Sequence, residues 1–417
     1  MTKPGYKQSE LGEIPEEWIT KPLTEVGQYI NGMAFKPSEW RDQGIPIVRI
    51  ENLNNVDAKF NYYQGEFNHK YLLDNGEILL SWSASLGVYI WNRGKALLNQ
   101  HIFKVIPNEN VTKQFLYWAL HKAVESLGQS THGSTMKHFK KGELERTLLA
   151  VPSLPEQQKI AEILTTADRK IELIDKEIQA TERLKKGLMQ TLLTRGIGHT
   201  KFKMTEIGEI PNEWDMTELG KLCTLLRNGL TSKQGTEGLP ISRIETISDG
   251  KISNKYGFVK GLNSQQLSEY SLKLGDILLS HINSVEHIGK TAIYEGLPEV
   301  LLHGMNLLLL RLDSSRADPL FYIQYFKHSV VRDRIRSLAK KAVNQASTNQ
   351  KELSKLLFPI PPLPEQQKIA EILKSSDRNI ELLRSKMKSA EDLKKGLMQV
   401  LLTGKVRVTV ATLDGVN

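Results

Sequence analysis

The chain has 417 residues, 40% hydrophobic and 25% charged, with 56 Lys and Arg against 47 Asp and Glu for a formal charge of +9. That length suggests two or three domains, each with enough apolar sequence for a core. One cysteine, Cys223, excludes a disulfide framework; no run approaches 18 apolar residues and the opening MTKPGYKQSELGEIPEEW lacks a signal-peptide core, so a cytoplasmic protein with no membrane contact is expected.

In chain order, EIPEEW (Glu13–Trp18) comes first, followed by short β-favouring runs at Ile45–Ile50 and Ile78–Ser81, bounded by Gly, Asn and Asp. Lys113–Leu127 has the apolar spacing of a helix. A longer helix follows. Ile160, Leu164, Ala167, Ile171, Ile174, Ile178 and Thr181 alternate steps of four and three, a heptad seam of the coiled-coil type. Pro155 suits its start, Glu156 suits the positive end of its dipole, and Gly196 suits its end.

The chain then repeats itself. EIPNEW (Glu209–Trp214) answers EIPEEW, and GLPISRIETI (Gly238–Ile247) resembles GIPIVRIENL (Gly44–Leu53). GDILLS (Gly275–Ser280) resembles GEILLS (Gly76–Ser81). Pro319–Leu338 reads as a helix capped by Asp318. LPEQQKIAEIL stands at Leu154–Leu164 and again, letter for letter, at Leu363–Leu373. Around it, Pro152–Thr194 aligns with Pro361–Thr403 without a gap, with 28 of 43 positions identical. Ile369, Leu373, Ser376, Ile380, Leu383, Met387 and Ala390 repeat the seam, with Pro364, Glu365 and Gly404 as start and stop. About 38 helical residues would span roughly 57 Å. Between the repeated blocks the halves diverge, from Trp18 to Pro155 over 137 positions and from Trp214 to Pro364 over 150.

The fold expected is α+β: two mixed α/β domains separated by a long antiparallel two-helix coiled coil, with a pseudo-twofold internal repeat. Its parts are 1–152, a first variable domain; 153–200, the central repeated helix; 201–361, a second variable domain; and 362–417, the distal helix and tail. The helices could instead pack each on its own domain, or between chains. Gly187 and Gly396, inside the helices at a cost of about 1 kcal/mol each against Ala, point to a close backbone contact or to a kink.

No catalytic motif appears. The one Pro-Pro pair, Pro361–Pro362, follows Ile360 and not the Asn or Asp of a methyl-transfer motif. There is no dinucleotide-binding glycine turn and no zinc spacing. Gly289-Lys290-Thr291 has the ending of a phosphate-binding loop, but its required glycine is Ser284. A non-enzyme is expected.

Basic and polar residues gather at matched places before each repeated helix. The first cluster includes Thr131, Ser134, Thr135, Lys137, His138 and Lys140; the second includes Lys340, Lys341, Asn344, Gln345, Ser347, Thr348 and Asn349. Lys and Arg can neutralise phosphates, and the amides and hydroxyls can bond base edges; a solvated polar loop is the plainer account. Arg49 and Arg243, each followed two positions on by Glu, are candidates for guanine contact or for structural ion pairs. Lys36 and Lys233, Trp82 and His281, and His101 with Met305 and Asn306 occupy further related segments.

These features together resemble the specificity subunit of a type I restriction-modification system. The resemblance covers the whole chain: paired PLPEQQKIAEIL blocks, paired LKKGLMQ blocks (Leu184–Gln190, Leu393–Gln399), EIP-x-EW openings, and the order variable, repeated, variable, repeated. It implies two target recognition domains, each reading one half of a bipartite, asymmetric sequence in double-stranded DNA, with the helices fixing the spacer. It also implies two modification subunits and two restriction subunits as partners, which would bring S-adenosylmethionine, ATP and Mg; this chain would hold no cofactor, metal or catalytic residue. Pro155, Glu156, Gln157, Gln158 and Gly187, with Pro364, Glu365, Gln366, Gln367 and Gly396, would form the framework that meets two copies of one partner. The alternative is a non-catalytic coiled-coil adaptor that binds a protein.

Overall fold

The computed structural model describes residues 2–83, 85–130, 141–247, 250–284, 286–342 and 345–410. The chain divides into two compact units: Met1–Asp175 with Ser385–Asn417, and Lys176–Arg384. Each unit therefore owns one end of each of two long helices, Leu154–Arg195 and Leu363–Leu401.

In the first unit, Gly27–Asn31, Ile102–Pro107, Glu77–Ser81 and Gly87–Trp91 form an antiparallel four-stranded sheet in that order. A second four-stranded sheet, Asn61–Tyr63, Ile45–Val48, Ala96–Leu98 and Leu72–Leu73, contains one parallel pairing, Ala96–Leu98 with Ile45–Val48. The hairpin Tyr6–Ser9/Gly12–Pro15 and the pair Ile19–Pro22/Leu148–Val151 complete the strands. The expected run Ile45–Ile50 ends early: after Val48 the chain turns, and Ile50–Asn54 is a short helix. The helix expected from Lys113 reaches Ser130. The core joins Trp18, Leu23, Ile78, Leu80, Phe115 and Leu116 to Ile160 and Leu164 of the first long helix and Met398 and Leu401 of the second. Burial of that many large apolar side chains, at about 1.5–3 kcal/mol each, holds both helix ends on the sheet.

The second unit repeats the plan. Cys223–Asn228, Leu307–Leu312, Ile277–Ser280 and Thr291–Ile293 form its antiparallel sheet. Phe202–Thr205/Gly208–Pro211 is the hairpin, and Asp215–Glu218 pairs with Leu357–Ile360. Two smaller pieces differ from the first unit: the pair Leu239–Ile241/Gly257–Val259, and a three-stranded sheet of Ile282–Asn283, Gln345–Ser347 and Lys340–Ala342. The helix expected over Pro319–Leu338 is two, Pro319–Lys327 and Ser329–Ser337. His328 between them is extended (ψ 133°), which ends the i to i−4 ladder. Asp318 caps the first of these, accepting from the Leu320 and Phe321 amides at 2.7 and 3.1 Å. The core joins Trp214, Phe321, Tyr322, Phe326 and Phe358 to Leu193 of the first long helix and Ile369 and Leu373 of the second.

Along both long helices the seven seam positions are buried or half-buried. Inside each unit an equivalent ion pair joins the two helix segments. Lys394 reaches Asp168 in the first unit and Lys185 reaches Asp377 in the second, both at 2.5 Å. Gly196 (φ 64°) and Gly404 (φ 70°) stop the helices in the left-handed conformation that favours glycine.

Candidate nucleic-acid interface and helix framework

The repeated motifs lock onto each other. Trp18 and Trp214, from the two EIP-x-EW blocks, are fully buried, and a buried indole N–H needs an acceptor. In the first unit Trp18 Nε1 donates to Glu156 at 2.9 Å; in the second Trp214 Nε1 donates to Glu365 at 3.0 Å. Each carboxylate, itself withdrawn from water, takes a second partner from the segment beyond a helix end. Arg407 forks onto Glu156 at 2.7 and 3.1 Å, and this pairing pushes the guanidinium pKa up. Onto Glu365, His199 closes at 2.9 Å and the Ile197 amide at 2.8 Å.

The next residue of each motif is a second clasp. Gln157 is fully buried; its Oε1 accepts from the Thr112 amide at 2.7 Å and its Nε2 donates to the Asn110 and Pro152 carbonyls, both at 2.9 Å. Gln366 does the same with the Asp318 amide and the Arg316 and Pro361 carbonyls, all at 2.8 Å. An amide side chain, with one acceptor and two donors, is the group that satisfies such a site. The framework expected from the sequence is thereby revised. Glu156, Gln157, Glu365 and Gln366 face inward and fasten each helix to its own domain. Pro155, Gln158, Pro364 and Gln367 are the exposed members of the motif.

For Gly187 and Gly396 the close-contact alternative does not hold within this chain. A methyl group built on either meets nothing within 4 Å, so no close backbone contact inside this chain explains them. Both stand beside leucines that lie off the seam. Leu184 (62% exposed) and Leu382 (53%) belong to the second unit, and Leu393 (59%) and Leu173 (65%) to the first. Each unit thus shows one bare leucine from each helix and one glycine with open space beside it. The sequence carried this signal in the apolar residues that the heptad seam leaves over.

The candidate reading residues separate by exposure. Lys36 is exposed at the start of a single turn, Pro37–Glu39, and Lys233 is exposed in a loop. Arg49 precedes a turn capped by Asn52, whose Oδ1 accepts from the Arg49 amide at 3.0 Å. Its guanidinium donates to Asn61 at 2.9 Å and to Glu51, and lies 5.0 Å over the Trp40 ring. Arg243 sits on the same turn, with Thr246 as cap at 2.8 Å, and its Nε donates to Gln234. Both guanidinium groups are held by side chains and still reach solvent.

Lys340 and Ser347 are exposed and face each other in register across the three-stranded sheet, whose strands also carry Lys341 and Gln345. Asn349 is exposed and caps the short helix that follows, accepting from the Lys351 amide at 2.8 Å. Thr348 and His281 are both 4% exposed and bonded to each other, the Thr348 amide donating to the His281 carbonyl at 2.9 Å. Burial lowers the His281 imidazole pKa to about 4, so it is neutral at pH 7. These two residues anchor the sheet edge that presents Lys340 and Ser347. Trp82 is half-buried, its Nε1 donating to Asn31 at 3.0 Å, and packs against His101 and Phe103. Thr131, Ser134, Thr135, Lys137, His138, Lys140 and Asn344 lie outside the described residues.

Among the described residues, no group of three His, Cys, Asp or Glu could hold a metal ion, and no helix is long and apolar enough to cross a membrane.

Comparison with known proteins supplies the context. The family model for the type I restriction modification DNA specificity domain matches twice, over residues 15–183 and 211–391. The chain is 48% identical over 205 residues, 48% of each chain, to a provisionally named type I restriction enzyme MjaX specificity subunit of Methanocaldococcus jannaschii. It is 29% identical over 429 residues, 97% of each chain, to the type I restriction enzyme MjaVIII specificity subunit of the same organism. In fold it is similar to the crystal structure of the type I restriction-modification S subunit from M. genitalium, with TM-score 0.56 and 15% identity over 98% of this chain and 100% of that one. With the family model covering most of both halves, the chain belongs to the type I restriction modification DNA specificity family.

Proposed function

We propose that this chain is the subunit that gives a type I restriction-modification complex its sequence preference, each half reading one part of a bipartite, asymmetric DNA target. The observation that carries this is the double match of a DNA-specificity model to two halves that share their clasps and differ in their exposed loops. The recognition domains are 1–152 and 201–361. The segments 153–200 and 362–417 make a pseudo-twofold framework of antiparallel helices that sets the unread spacer. Readers on one face of B-DNA are most simply separated by about one helical turn, roughly 34 Å, which long rigid helices can fix.

Within each half the reading side chains are Lys36 and Arg49, and Lys233, Arg243, Lys340, Lys341, Gln345, Ser347 and Asn349, joined by the polar residues of 131–140 and Asn344. Two modification subunits would dock on the equivalent bare patches, Leu173, Leu393 and Gly396 in one unit and Leu184, Gly187 and Leu382 in the other, bringing S-adenosylmethionine. Two restriction subunits would add ATP and Mg. The chain's own contribution is specificity and not catalysis.

The test is methylome sequencing of a host expressing this chain with and without its cognate modification subunit. A methylated bipartite adenine motif that needs both proteins is expected. Stable assembly of the two proteins with no methylated motif would favour a protein-binding adaptor instead.

A further inference from the structure

The second unit holds a basic recess that the DNA-reading residues do not use. It has a volume of about 420 Å³ and, among the described residues, is lined by Lys251, Lys290, Lys327 and Arg332 with the carboxylate of Asp377, and has Thr291 in its wall. Asp377 is already engaged by Lys185 at 2.5 Å and by the Gln324 amide at 3.2 Å. Lys251 is paired with Glu381, and Lys290 is engaged as well. Lys327 and Arg332 are different: both are half-buried, and among the described residues neither has a carboxylate within ion-pair distance. Burial lowers both pKa values, the mark of a cation without enough compensation. Arg332 Nε is buried with no hydrogen-bond partner, and so is the hydroxyl of Thr291, a residue only 3% exposed. Orphaned buried donors are uncommon and call for a ligand or a water.

Gly289-Lys290-Thr291, the triplet with the ending of a phosphate-binding loop, forms one wall of this recess. It does not work as such a loop. The Gly289 amide donates to the Ser280 carbonyl at 2.9 Å and the Lys290 amide to the His287 carbonyl at 3.2 Å, so the backbone donors are spent. An anion here would be held by side chains. The size, the two half-buried cations without an ion-pair partner and the unpartnered hydroxyl suit a tetrahedral oxyanion with several acceptor oxygens.

We infer that this recess between Thr291, Lys327 and Arg332 binds a phosphate group, supplied either by a small polyphosphate or by the DNA backbone. The assignment is separable from DNA reading, because it can be measured without DNA. The full chain is titrated with inorganic pyrophosphate at constant ionic strength and followed by calorimetry. Lys327→Gln and Arg332→Gln should each weaken binding at least tenfold without lowering the melting temperature of the free chain, since each removes an uncompensated cation. Thr291→Val, close in shape, keeps the test decisive if a charge variant fails to fold, and should weaken binding several-fold. Pyrophosphate binding that is absent in the wild-type chain, or equal in all variants, would overturn the inference. A second arm uses a random-sequence 20-bp duplex. Parallel loss of duplex affinity with a shallower salt dependence would identify the DNA backbone as the source; unchanged duplex affinity would identify a free polyphosphate.

Discussion

Gln157 and Gln366 show how much one side chain can decide. Each satisfies three buried or part-buried backbone groups, linking a helix start to two loops of its own domain. Replacing either by Ala would orphan an amide and two carbonyls, and should cost about 3 kcal/mol. The neighbouring Gln158→Ala should fall within about 0.5 kcal/mol of wild type, because that side chain is exposed. Urea midpoints for the two variants check this. From the sequence, the two glutamines of PEQQ are indistinguishable, and a letter-for-letter repeat reads most simply as a surface for a shared partner. Burial inverts that reading for half of the motif. The repetition records the same internal clasp made twice, and within PEQQ only Pro155, Gln158, Pro364 and Gln367 stay exposed.

Buried histidines add a pH dependence at the same scale. His303 is fully buried, with Nε2 2.9 Å from the Leu307 carbonyl and Nδ1 unpartnered. Burial lowers its pKa to about 4, as it does for His281 in the same unit and His121 in the first. In the unfolded chain these imidazoles protonate near pH 6.5. Their effect on stability is therefore absent above pH 6.5 and grows as the pH falls towards 4, because the unfolded state gains protons that the folded state refuses. The loss should be on the order of 1 kcal/mol per pH unit for each histidine. Denaturation midpoints between pH 7 and 4 should fall, and His303→Gln should flatten that slope. An unchanged slope would remove His303 from the account.

At the level of elements, the long helices were the most legible part of the sequence. Their seam, capping prolines and terminal glycines are local signals repeated over many turns. The variable domains were less legible. Arg49 ends a strand and begins a turn because Asn52 caps its amide, a contact that a run of β-favouring letters does not reveal. His328 interrupts an apolar pattern that continues through it. The small sheets of the variable domains depend on pairings between distant strands, such as Ile282–Asn283 with Gln345–Ser347, and no spacing rule predicts those. Gly187 and Gly396 give the helices a separable test. Each is surrounded by open space, so Gly→Ala should stabilise the free chain by about 0.8–1 kcal/mol per site, read as a higher melting temperature. If the modification subunit packs against these glycines, the same substitutions should weaken assembly at least tenfold. Gain in both would place the partner elsewhere.

For the whole molecule, the governing fact is that each unit is built from one variable domain, the beginning of one long helix and the end of the other. A chain that joins Leu154 directly to Pro364, omitting everything between, keeps one variable domain, one intact LPEQQ block and one long helix. Its core would lack a helix end unless another molecule lent one. The two molecules should therefore exchange helix ends and run as a dimer in size-exclusion chromatography with light scattering. A stable monomer would show that the borrowed helix end is dispensable to the unit.

The clasp between Trp and Glu also has a meaning for heredity. Because the same bond closes both units, a variable domain arriving by recombination between the two repeats, or between two related genes, meets a helix start it already fits. No compensating change is needed at the junction. The eleven shared residues fasten each unit and would equally serve as a crossover point, so that one genetic event would exchange a whole variable domain while the framework stayed as it was.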